Sequence, residues 1–262
     1  MTANYKNASY VMAGIACLIT SSSIIAHYAT DSLPYEQYNA AWYWISPFLS
    51  LATPILFGWI GILLRKSYPA PKTWVKALIL LLVPVTYLLW TLLHGYGFHY
   101  GYGSRCTWLY CAILGFMIPT ERLEGCGAEK GWLGLVLFLA SAFVYWGVCR
   151  VVNHFSVTSF QMLDSEWIRL FHRAMRFIPL AMAVFFLAEF SFSKTGQALG
   201  GNRAVEIIVN VLAVACFIVV AWDCFRWRYY SLGLYYLWIL LAQPVTVHII
   251  LWVGRKIKIG QV

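Results

Sequence analysis

The chain has 262 residues, of which 61% are apolar, 18% aromatic and only 11% charged, with a formal net charge of +9. An ordinary soluble domain is about a quarter charged and still exposes a large surface, so a single water-soluble globule is excluded. Lipid suits this composition, and a chain in lipid must pair every backbone N–H and C=O within helices or a closed barrel; the long, continuous apolar runs here select helices.

The predicted fold class is all-α: a polytopic transmembrane helix bundle of about seven spans, with eight as the alternative. Windows of about nineteen residues mark the spans in chain order. Span one covers Ser9 to His27, span two Trp42 to Leu64 and span three Trp74 to His94. Span four covers Trp132 to Cys149, span five Phe177 to Phe192, span six Ala204 to Cys224 and span seven Leu234 to Val253. The first apolar run lacks the small-residue exit of a cleaved leader and reads as a span. Trp42, Trp74, Trp132 and Trp252 stand at span edges, where interfacial aromatics belong. Pro54, Pro84, Pro179 and Pro244 fall inside or near the start of spans, and neighbouring helices can satisfy the carbonyls they free. The motif Pro-Val-Thr recurs at Pro84 and Pro244, too short a match to argue for repeated halves.

Two connections are long. Gly95 to Gly131 is expected on the outer side and opens on the aromatic–glycine run Gly95 to Gly103. It contains the apolar segment Cys106 to Pro119, whose fourteen residues suggest a re-entrant or interfacial helix, or an eighth crossing. Asn153 to Arg176 carries Phe160, Leu163, Trp167, Leu170, Phe171 and Ala174 at helical spacing, with Arg169, Arg173 and Arg176 between them. That pattern predicts an amphipathic helix on the inner headgroups.

The nineteen Lys and Arg are scattered over span ends, where they anchor helices and set topology, so no nucleic-acid partner is implied. With the N-terminus inside, seven spans put eleven of them inside and eight outside. Eight spans change this to twelve and seven, and move Glu189 and His248 to the other face.

Ionisable groups at membrane depth are costly and therefore mark candidate sites. In the seven-span arrangement His27, His94, His99 and His248 fall near the outer surface, together with Glu189, Glu206, Asp31 and Glu36. Neutral imidazoles ligate haem or a transition metal, and a His beside a carboxylate can pass protons. Glu189 and His248 are the candidate catalytic residues, and His27, His94, His99 and His248 the candidate cofactor ligands; no metal site is assigned. Cys106, Cys111 and Cys126 share the long outer connection, where Cys106–Cys126 or Cys111–Cys126 would close a loop. Cys17, Cys149, Cys216 and Cys224 read as packing residues.

There is no metalloprotease helix motif, nucleophile elbow, phosphate-binding loop or dinucleotide fingerprint, and span seven holds no lysine. Three functional expectations follow for a multi-pass protein of the cell (inner or plasma) membrane. One is a membrane subunit or enzyme with a His-rich site handling a quinone, haem, metal or lipid-like substrate. The second is a small proton- or ion-coupled transporter. The third is a structural or assembly subunit. The expected partners are the lipid bilayer, a hydrophobic small molecule and partner subunits of a membrane complex.

Overall fold

The computed structural model describes residues 3–31, 34, 36–37, 51–67, 72, 74–75, 77–78, 81, 100–125, 131–159 and 166–227. Its elements are all helices: α1 (Ala3–Asp31), α2 (Ala52–Ser67), α3 (Tyr100–Met117), α4 (Thr120–Gly125), α5 (Gly131–Ser159), α6 (Glu166–Phe192), α7 (Lys194–Gly201) and α8 (Arg203–Trp227). No strand occurs among the described residues.

Apolar runs of this length can bury their backbone polar groups only by pairing them along the helix. The hydroxyls within the runs use the same economy. Ser9, Thr20, Ser21, Ser22, Ser141 and Ser191 each donate to the carbonyl four residues back, at 2.7–2.8 Å, so none needs water.

Three stretches are long and apolar enough to cross a membrane: Asn4–Ala26, Gly131–Val151 and Met175–Phe192. They coincide with expected spans one, four and five. A fourth candidate is α7 with α8 as far as Cys216, a pair bent by 71° at Asn202. Expected span six lies within α8. The described helices thus supply three to four candidate spans rather than seven. Of span two only Ala52–Ser67 is described, a sixteen-residue helix, and most of span three and all of span seven lie outside the described residues.

Two expected segments take a different form. The segment Cys106 to Pro119 belongs to an eighteen-residue helix that starts six residues earlier, within the aromatic–glycine run. It stops at Pro119, which disfavours helical geometry at the residue before it. Residues 153–176 form no single helix: they divide between the end of α5 and the start of α6, and α6 continues through the buried Pro179 to Phe192.

The core lies where α1, α2 and α6 meet. Tyr5, Met12, Ile55, Ile62, Leu63, Leu180 and Leu187 are almost wholly buried there. The helices α1 and α2 run antiparallel, since Trp59 Nε1 donates to Ser9 Oγ at 3.2 Å while Ala52 and Leu56 pack on Ala16. Glycines set the closest approach. A Cβ on Gly61 would collide with the carbonyl oxygen of Ala112, one on Gly115 with the carbonyl oxygen of Gly58, and one on Gly58 with Val184. Small residues at a crossing let two backbones meet at a distance no larger side chain permits. Gly147, by contrast, faces open space on α5.

Gly61→Ala should therefore destabilise the protein by about 1–3 kcal/mol through overpacking against backbone. Gly147→Ala should change stability by no more than about 0.5 kcal/mol, as an open surface position does. Thermal unfolding of the two variants in the same detergent checks the contrast; equal midpoints would refute the crossing.

Candidate functional site

One network of hydrogen-bonded polar side chains lies at the end of the bundle where α1 begins, α6 ends and α8 begins. Ser193 breaks the chain after α6: its Oγ accepts from Gly196 N at 3.1 Å and caps α7. At the other end of α7, Gly200 and Gly201 pack on Asn7, so close that a Cβ on Gly200 would strike the Asn7 carbonyl. Asn202, in extended geometry, ends α7, and its Oδ1 accepts from Ala204 N at 2.9 Å to start α8 in a new direction.

The first two turns of α1 dock into this corner. Gln197 Nε2 donates to the carbonyls of Asn4 and Ser191, both at 2.9 Å, and Asn7 Nδ2 donates to the Gln197 carbonyl at 3.2 Å. Tyr10 OH donates to Glu206 Oε1 at 2.8 Å, and Lys6 Nζ lies 3.5 Å from Glu206 Oε2. Tyr5 stacks edge-on against Phe192 with ring centroids 4.9 Å apart, and Lys66 at the end of α2 lies over the Tyr5 ring. The Lys6–Glu206 pair is solvent-accessible, with 55% and 34% of the side chains exposed, so it contributes register more than stability.

Farther along, α1 and α8 run parallel: Gly14 meets Val209, and Ser21 Oγ lies 3.1 Å from Cys216 Sγ. Cys17, Cys111, Cys149 and Cys216 are buried free thiols. For Cys17, Cys149 and Cys216 this agrees with a packing role. Cys111 is likewise a buried free thiol, while Cys126, the expected partner of Cys106 or Cys111, lies outside the described residues.

Of the expected site residues only His27 and Glu189 lie among the described residues, and they stand far apart. Glu189, half-buried on α6, sits one turn before Phe192 and so at the end that holds Tyr5. His27 occupies the last turns of α1, about 33 Å from Tyr5 along a helix rising about 1.5 Å per residue. Glu206 contacts Lys6 and Tyr10. His94, His99 and His248 lie outside the described residues. Among the described residues no three His, Cys, Asp or Glu are placed to hold a metal ion.

A second feature lies between α3 and α6. Leu114, Ile118, Ala181, Met182, Val184 and Phe185 line a groove of about 260 Å³ floored by Gly115. Tyr110 and Phe177 also meet between these two helices, with ring centroids 4.8 Å apart. Among the described residues every lining side chain is apolar, so they offer no acid–base group. Sequence reading missed both features, because it weighed charged residues and histidines. The docking corner is built from Asn, Gln and Gly, and the groove from two segments about seventy residues apart.

Comparison with protein families, with curated proteins and with solved structures finds no match. The docking corner makes its own prediction. Gln197→Ala removes two hydrogen bonds and should lower stability by about 1–2 kcal/mol, whereas exposed Lys194→Ala should leave it within about 0.5 kcal/mol. Thermal melts of the purified variants check this, and equal midpoints would show that the corner does not hold α1.

Proposed function

We propose that this chain is a multi-pass integral membrane protein of the cell membrane that binds a lipid-like molecule in the groove between α3 and α6. The membrane reading is supported by the three to four candidate spans and by the large apolar side chains their faces leave uncovered. Trp132 on α5 and Val211 on α8 are 66% and 62% exposed, and Leu139, Phe143, Val214 and Ile218 extend the same faces. In water such continuous surfaces drive association, while in a bilayer they meet acyl chains at no cost. The remaining crossings of a seven-span bundle fall among residues 32–99 and 228–262, whose sequence carries spans two, three and seven, and the eighth of an eight-span bundle is Cys106–Pro119.

The observation that carries the ligand class is the all-apolar lining of the groove. Binding pockets for drug-sized molecules occupy about 300–1,000 Å³ and combine apolar walls with a few polar groups that fix orientation. This groove is smaller and has no such groups, which suits a flexible acyl or isoprenoid chain better than the rigid, ligated ring of a haem. Of the quinone, haem, metal and lipid-like ligands expected from the sequence, the lipid-like one is therefore favoured. A quinone fits through its isoprenoid tail alone.

A second reading, a small transporter, draws on the 71° break at Asn202, since interrupted helices line the substrate path in several transporter folds. The break is fastened by α1 at a solvent-exposed end of the bundle, and it supports this reading less directly than the groove supports lipid binding.

Photolabelling of the reconstituted protein with a diazirine-bearing acyl chain tests the proposal. Label should concentrate on Leu114–Ile118 and Ala181–Phe185, and Ala181→Trp, which fills the groove, should reduce it there at least about fivefold. Label spread evenly over the outer faces of α5 and α8 would refute the groove as a site. A Soret band in the purified protein would overturn the choice of a lipid-like ligand over haem.

A further inference from the structure

We infer that the N-terminus and the start of α5 share one membrane face, so the chain crosses the membrane an odd number of times between α1 and α5. The connection from α5 to α6 then lies on the opposite face, beside the end of α1. This rests on the membrane reading above and departs from the seven-span arrangement, which crosses twice in that interval.

The contacts that require it come from separate elements. At the start of α1, Tyr5 touches Phe192, Asn4 and Asn7 are bonded to Gln197, and Lys6 and Tyr10 meet Glu206. These groups fix the end of α6, all of α7 and the start of α8 to the face where α1 begins. The start of α5 joins them, because a Cβ on Gly131 would meet Ser193 Oγ at 2.6 Å and Thr195 Oγ1 at 3.1 Å. One helix pitch farther in, Gly134 meets Phe186 and Phe190, so α5 and α6 are antiparallel. The helix α1 is continuous through Asp31 and ends on the far face. A chain leaving the far face at Asp31 and arriving at Gly131 on the near face has crossed an odd number of times. Spans two and three provide two crossings. The segment from Cys106 to Pro119 supplies the third, and its helix of eighteen residues reaches about 27 Å, close to the thickness of a bilayer core.

Charge agrees independently. With the N-terminus inside, a third crossing raises the number of Lys and Arg on the inner face from eleven to twelve of nineteen. It also changes which ionisable positions share a face. The ends of α5 and α6 that carry His154, His172, Arg169 and Arg173 join His27 at the end of α1, while Glu189 moves to the face of Lys6. His248 moves with Glu189, so any joint proton-handling or anion-binding role of His27, His154 and His172 belongs with the α5–α6 connection rather than with Glu189.

Single cysteines at Asn4, Asn202 and Ser165, placed in the full-length chain with its native cysteines replaced, test the assignment in sealed vesicles. A membrane-impermeant maleimide should label Asn4→Cys and Asn202→Cys from the same side and Ser165→Cys from the other. Labelling of Asn4→Cys and Asn202→Cys from opposite sides would overturn it. If the cysteine-free chain is not produced, an epitope inserted after Asp164 of the native chain gives the same readout: accessibility opposite to an N-terminal tag supports the inference, and accessibility on the same side refutes it. Carbonate extraction of the same vesicles separates the two levels. Release of the protein would remove the membrane reading itself, whereas retention with the wrong sidedness removes only this inference.

Discussion

The docking of the first two turns of α1 onto the corner made by α6, α7 and α8 governs most of the remaining architecture. Without it, α1 and α8 would be two apolar helices with no reason to choose a register, because dispersion contacts between such surfaces change little when one slides past the other. Hydrogen bonds from Gln197 and Asn7, with the Tyr10 hydroxyl on Glu206, are directional and select a single arrangement. Tyr5 against Phe192 fills the space beneath them. The parallel course of α1 and α8, as far as Ser21 and Cys216, follows from that starting point.

A second constraint acts at the centre. The crossing of α2 and α3 is made by backbone on backbone, with Gly58, Gly61 and Gly115 removing the side chains that would hold the helices apart. Such close packing brings backbone onto backbone, and the apolar groove lies on the flank of α3, where Ala181 and Gly115 recess the surface between larger neighbours. The same small residues thus tighten the bundle and open the groove. The apolar lining of that recess is why the functional reading turns on a chain-like ligand.

How much of this was legible in the sequence differs between features. Spans one, four and five could be read directly, because about twenty apolar residues in a row have no other stable use, and the helices Asn4–Ala26, Gly131–Val151 and Met175–Phe192 coincide with them. The helix Tyr100–Met117 is only partly legible, since its first turns are tyrosine and glycine, whose hydropathy hides their continuity with the apolar segment. The arginine-bearing stretch from Asn153 to Arg176 has a helical apolar period, yet it is divided between α5 and α6; periodicity reports a face and not where one helix ends. The levels of His27 and Glu189 are not legible for a related reason: the level of any residue depends on every crossing counted before it, so one short segment shifts all that follow.

Composition and run length by themselves determined that the chain is helical and suited to lipid, because unpaired backbone groups are too costly in an apolar medium. They also located the thiols of Cys17, Cys149 and Cys216 as packing groups, since the apolar runs that hold them must be buried somewhere. Only the tertiary structure decided which ends lie together. That information resides in contacts such as Lys6 with Glu206 and Gly131 with Ser193, between residues up to 200 positions apart, whose partners no local pattern specifies. It likewise decided that Cys111 is enclosed, that Gly61 has no room for a methyl group, and that His27 and Glu189 stand at opposite ends of the bundle, because burial and separation are properties of the packed helices and not of any one of them.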